Sequence, residues 1–155
     1  IKTIFNAKTP RSAKVREAMR VTVPDTIEAL ARSAVDSALA VHRALGPGLL
    51  ESAYRDCLQI ELASRGHQVE REQILPINYR GHTIPRAFRA DLLVDRELLL
   101  ELKAVETLLP VHRVQLVTYL RLLRLPLGLL INFNVPLLKD GLQRVLNLEF
   151  QTASA

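Results

Sequence analysis

Three stretches of this chain are apolar at nearly every position: Phe88 to Val94, Leu98 to Val105 and Leu127 to Phe133. Side chains of a β-strand alternate between the two faces of its sheet, so a strand apolar on both needs cover on both. This excludes an open sheet with one wet face and requires helices to supply the cover. Only Asp95-Arg96-Glu97 separates the first two runs, too few residues for a crossover, so the spacing predicts an antiparallel hairpin.

The covering helices are legible as well. Ile27, Leu30, Ala31, Ala34, Ala38, Val41 and Leu45 recur at helical spacing, with Asp25 placed to cap the run just after Pro24. Gly46-Pro47-Gly48 ends that helix. A second is expected from about Leu49 to Ser64, stopping at Gly66, with Leu50, Tyr54, Cys57, Leu58 and Leu62 on its inner face. Val69 to Ile74, continuing through Tyr79 to a turn at Arg80-Gly81-His82, reads as another strand. A third helix is expected from Val111 to Leu125, bounded by Pro110 and Pro126, and a last strand from Leu142 to Leu148 after an Asp140-Gly141 turn. The order predicts an α/β fold, helices flanking a central mixed sheet.

Charge narrows the organisation. The 155 residues carry a formal net charge of +5, but its placement matters more than its sum. Residues 1–20 hold six basic side chains against Glu17, and the remainder balances at fifteen of each sign. We therefore read 1–24 as a basic N-terminal arm, with weak helical periodicity around Ala13 to Met19, and 25–150 as the folded domain. The most apolar stretch, Leu122 to Ile131, is interrupted by Arg124 and Pro126 and falls far short of the ~20 residues that span a bilayer, so no membrane association is expected. No apolar run of signal-peptide length follows the basic N-terminus, and one cysteine, Cys57, expected buried, cannot form an internal disulfide. A cytoplasmic location is the expectation.

Charges inside the apolar strands are costly and so informative. Glu101 and Lys103, two residues apart, project to one sheet face, and Asp91 interrupts the preceding strand, where the hairpin brings it beside Glu101. Two adjacent carboxylates repel unless one is protonated or a cation lies between them, and carboxylate oxygens suit Mg²⁺ or Mn²⁺. From these residues alone a buried Glu101–Lys103 or Asp91–Lys103 ion pair is the equal alternative. Gln115 and Tyr119 share a face of the third helix. Glu51, the third residue after a Gly48 cap, suits a helix N-terminus and also shares a face with Tyr54, Leu58 and Leu62. His42 lies beside the apolar stripe of the first helix; His67, His82 and His112 form no zinc-site spacing.

The segment Val41-His42-Arg43-Ala44-Leu45-Gly46-Pro47-Gly48-Leu49-Leu50-Glu51-Ser52-Ala53-Tyr54 resembles the signature of the GxxExxY proteins, of the PD-(D/E)XK nuclease-like superfamily. The likeness continues in order through Ala90 to Val94, Glu101 to Val105, Gln115 to Leu120 and Gly128 to Phe133. It implies a restriction-endonuclease-like sandwich with an αβββαβ core. It further implies that Asp91 and Glu101 bind Mg²⁺ or Mn²⁺ with the backbone carbonyl of Leu102, and that Lys103 assists the attacking water. Glu51 matches a helix carboxylate that lies beside the metal. Gln115 and Tyr119 match the extra helix motif of RecB-like and phage-exonuclease branches, with His42 and Tyr54 as accessory candidates. Ala90 replaces the proline that names the first motif, and a single cysteine leaves no place for an iron–sulfur cluster.

The resemblance implies a metal-dependent nuclease acting on nucleic acid, DNA above all. The alternative is a weak or inactive nuclease-fold module that binds nucleic acid or a protein partner. The apolar C-terminal half could supply a homodimer surface.

Overall fold

The computed structural model describes residues 21–150; the arm's first twenty residues, including the periodicity around Ala13 to Met19, lie outside them. Helix α1 (Asp25–Leu45) and helix α2 (Glu51–Ser64) lead into strands β1 (Val69–Tyr79), β2 (His82–Val94) and β3 (Leu98–Lys103). Helix α3 (Pro110–Leu123) then crosses to β4 (Leu127–Asn132), and a short 3₁₀ turn (Leu138–Gly141) precedes β5 (Leu142–Leu146). The sheet runs β1-β2-β3-β4-β5, antiparallel except for the parallel β3–β4 pair that α3 connects. The expected αβββαβ order and mixed sheet are present.

The apolar strands divide their side chains as their period requires. Leu98, Leu100, Leu102, Leu127, Leu129 and Ile131 join the core beneath α1 and α2. Leu99 and Leu130 face the other way, into a second core with Leu116, Tyr119 and Leu120 of α3. Gly128 permits this second contact: a Cβ there would meet a Leu116 methyl at 3.0 Å and the Leu99 carbonyl at 3.1 Å. Burying such side chains is worth roughly 1.5–3 kcal/mol each, which offsets the conformational entropy of ordering them.

Several local expectations need correction. Asp25 is the first helical residue, not the cap; the Pro24 carbonyl accepts the amides of Ile27 and Glu28 at 3.0 Å and starts the helix. Likewise Leu50, not Gly48, precedes α2, so Glu51 is its first residue rather than its third. Leu50 consequently lies outside the inner face, 77% exposed, and Cys57 is only half-buried. Strand β2 begins at His82, well before the apolar run at Phe88. Gly66 does close α2: at φ +87° it donates to Ala63 while the His67 amide reaches Leu62, a Schellman motif.

A side-chain clasp ties the helical layer to the hairpin. His67 Nδ1 lies 2.7 Å from Asp95 in the β2–β3 turn, and His67 Nε2 lies 2.7 Å from Ser33 on α1. The carboxylate can only accept, so Nδ1 donates to it, which leaves Nε2 to pair with the Ser33 hydroxyl. Among the described residues no helix is long and apolar enough to cross a membrane.

Candidate active site

The register Leu92↔Leu100, Leu93↔Leu99, Val94↔Leu98 would next place Asp91 opposite Glu101, but the β2–β3 ladder stops one pair short. Asp91 Oδ2 instead accepts the Leu102 amide at 2.8 Å, so a carboxylate stands between the diverging strands. On β1 the corresponding position is Glu72, a non-glycine residue at φ +48° within a strand. Backbone strain of this kind costs on the order of 1–3 kcal/mol and is concentrated at functional sites.

A cleft of about 470 Å³ opens here, lined by Glu51, Asp91, Glu101, Lys103, Gln115 and Tyr119 together with Ala87 to Arg89. Six of its seven polar side chains are those expected from the sequence; the seventh, Arg89, is not. Lys103 Nζ lies 3.1 Å from Glu101 Oε1, so the Glu101–Lys103 ion pair forms and the Asp91–Lys103 pair does not. Gln115 donates to the Tyr119 hydroxyl at 2.6 Å, and Phe88 meets the Tyr119 ring edge to face at 5.3 Å. Burial raises the Tyr119 hydroxyl above its ordinary value; the Gln115 hydrogen bond opposes the shift and the Glu101 charge adds to it.

Two accessory candidates lie elsewhere. Tyr54 donates to the Gly46 carbonyl at 2.6 Å, accepts the Leu49 amide at 3.1 Å and stacks on Phe133, fixing the α1–α2 turn. His42 Nε2 donates to the Val135 carbonyl at 2.8 Å beside the Pro136 to Lys139 loop. Both hold the scaffold and neither lines the cleft.

Sequence reasoning missed Arg55. Its guanidinium is 7% exposed and reaches Asp91 Oδ1 at 2.8 Å, Glu51 at 3.0 Å and Glu72 at 3.4 Å. A buried cation with three carboxylates is rare, yet in the sequence Arg55 is only an i,i+4 partner of Glu51, the commonest kind of surface pair. Its proximity to Asp91 depends on a tertiary contact no local pattern encodes.

Electrostatics single out Glu101. It is 3% exposed, and among the described residues its Oε2 has no hydrogen-bond partner. Burial first, and the neighbouring Asp91 charge second, raise its pKa to about 7, against the attraction of Lys103. An unpaired buried carboxylate oxygen beside a second carboxylate suits a cation. Asp91 already uses both oxygens, but each retains a lone pair. Among the described residues no three His, Cys, Asp or Glu side chains are grouped as a ready metal cage. The donor set therefore fits a hard ion that keeps most of its water and takes one or two carboxylates, as Mg²⁺ does.

The family model of the PD-(D/E)XK nuclease superfamily matches residues 28–145, from the first turn of α1 to β5. The chain belongs to the PD-(D/E)XK nuclease superfamily. Neither the curated proteins nor the solved structures gave a match. Among the described residues, the five-stranded mixed sheet with three α-helices is the restriction-endonuclease-like form of that superfamily. Asp91 and Glu101-Leu102-Lys103 fall within the matched span, on the strands that border the cleft.

Proposed function

We propose that this protein is a metal-dependent nuclease that hydrolyses phosphodiester bonds in DNA and works in the cytoplasm. The observation that carries the reading is the unpartnered Glu101 Oε2 beside Asp91 and Lys103 in an open cleft. Asp91 and Glu101, with the Leu102 carbonyl and Glu51 nearby, are the groups that would hold Mg²⁺ or Mn²⁺. Such an ion supplies activation of water and neutralisation of charge on the scissile phosphate. Lys103, held 3.1 Å from Glu101, orients the attacking water and stabilises negative charge developing on the phosphate oxygens. Gln115 and Tyr119 form a hydrogen-bonding wall for the substrate backbone. Arg55 holds Asp91 and Glu51 in place and restrains their mutual repulsion. The finer likeness to the GxxExxY proteins supports the assignment of Glu51 to the site.

The test is cleavage of labelled single- and double-stranded DNA and RNA with Mg²⁺, Mn²⁺ or chelator, beside thermal shifts with the same ions. We expect metal-dependent DNA cleavage that Asp91→Ala and Lys103→Ala both abolish. Cleavage surviving in those variants would mark a contaminant and sink the proposal.

One observation favours a second reading, a nuclease-fold binding module without turnover. Arg55 already supplies Asp91 with a counter-charge at 2.8 Å, so the carboxylates can be stable with no metal at all. That reading gives nucleic-acid binding with neither cleavage nor a metal-induced rise in Tm.

A further inference from the structure

Strands β1 and β2 continue far past the rest of the sheet. Only Leu92 to Val94 of β2 pair with β3, whereas β1 and β2 pair with each other out to Tyr79↔His82. Residues 73–90 thus form a two-stranded ribbon some 20 Å long at the usual rise per residue. It is also the local exception in a body of balanced charge: Gln73 to Ala90 contains Arg80, Arg86 and Arg89 and no aspartate or glutamate. Among the described residues only Arg89 of these three meets a carboxylate, Glu72 at 3.8 Å.

Two distortions govern where the arginines stand. Arg80 and Gly81 form the turn at φ +47° and +80°, a two-residue hairpin of the kind that favours asparagine or glycine at its first position. An arginine there is conformationally costly, and its guanidinium lies over the Tyr79 ring at 5.6 Å, both exposed at the tip. Nearer the base the register shifts between Leu75 and Ile77, so Pro85, Arg86 and Ala87 oppose Pro76 alone. Bulges of this kind re-aim side chains beside active sites. Arg86 and Arg89 border a cleft of about 450 Å³ that shares Ala87, Phe88 and Arg89 with the candidate active site.

We infer that this ribbon is the duplex-binding element of the protein: it enters the major groove of B-form DNA, its arginines on the backbone phosphates, and leads a strand to the Asp91–Glu101 cleft. The inference rests on the nuclease reading and adds to it where, and in which form, the nucleic acid is held. A B-form major groove admits a two-stranded β-ribbon, whereas the deep, narrow groove of duplex RNA does not.

The experiment is fluorescence anisotropy of a short DNA duplex, and of an RNA duplex of the same sequence, with the full chain in chelator over a series of salt concentrations. Arg80→Asn with Arg86→Gln is expected to weaken DNA-duplex binding roughly tenfold at low salt. It should flatten the slope of log affinity against log salt by about two. Wild type is expected to prefer the DNA duplex, and the double variant to lose that preference. Arg80→Asn alone should raise Tm by roughly 2 °C while lowering affinity, which separates a binding loss from a folding defect. Unchanged affinity and slope in a double variant whose wild type binds and cleaves DNA would overturn the ribbon assignment alone. Equal, ribbon-dependent binding of duplex RNA would overturn groove entry. A wild type that neither binds nor cleaves would remove this inference and the nuclease reading together.

Discussion

Glu101 connects buried charge to stability in a measurable way. Its folded pKa of about 7 lies above the ordinary 4.5, so the folded protein keeps a proton that the unfolded chain releases. The contribution is complete below the unfolded value and disappears as pH rises through the folded one. Metal-free protein should therefore lose on the order of 3 kcal/mol from this group between about pH 4.5 and pH 8. Urea denaturation in chelator should show the loss in wild type and not in Glu101→Gln; parallel pH profiles would refute it. Arg55 gives the complementary case. Replacing it with methionine strands the Asp91 charge and should cost about 3–5 kcal/mol. Adding Asp91→Asn should recover part of that cost, and strict additivity in the double-mutant cycle would deny the coupling.

At the scale of elements, the apolar strands and their interrupting charges were readable because a period-two pattern and a buried ion are both local facts. Asp91, Glu101 and Lys103 of the cleft followed from the hairpin, since its register is fixed by a three-residue turn, whereas Glu51, Gln115 and Tyr119 came from the family resemblance. The rest depended on geometry that composition does not carry. Arg55 meets Asp91 only because α2 lies across the sheet, and the strain at Glu72 has no signature in its residue type. Strand β2 was underestimated because its first half is exposed and its apolar residues Ile84, Pro85 and Ala87 do not alternate with polar ones. Gly128 shows how closely the layers are coupled: valine there would push α3 off β4, with an expected cost of about 1–3 kcal/mol. Cleavage should fall with Tm as Gln115 and Tyr119 are displaced; full activity would show that the helix position is not required. Removing the clasp by Ser33→Ala should cost only about 1 kcal/mol by denaturation, because one partly buried hydrogen bond is lost.

Across the whole molecule, sequence-wide charge conceals opposed local balances. Residues 1–20 carry the formal excess, while the fifteen-against-fifteen body keeps an acid-free stretch next to a carboxylate-rich cleft. The two basic regions should act differently on DNA. Deleting residues 1–22 should weaken binding of single and double strands alike and reduce the salt slope, with the metal-induced change in Tm unaffected. Anisotropy and thermal shifts on the truncated chain check this; an unaltered slope would make the arm incidental to binding.

The hydrogen bond from the Leu102 amide to Asp91 makes that aspartate a splint as well as a candidate ligand. Where the two strands part company, its side chain takes the place of a missing backbone acceptor and holds the Glu101-Leu102-Lys103 backbone in register. Alanine at this position consequently deletes two things at once, a charge and a strut. Asparagine keeps an oxygen for the amide while losing the charge and the acceptor that Arg55 uses, both of which alanine loses too, so the gap between the two variants measures how much of the site's order that strut maintains.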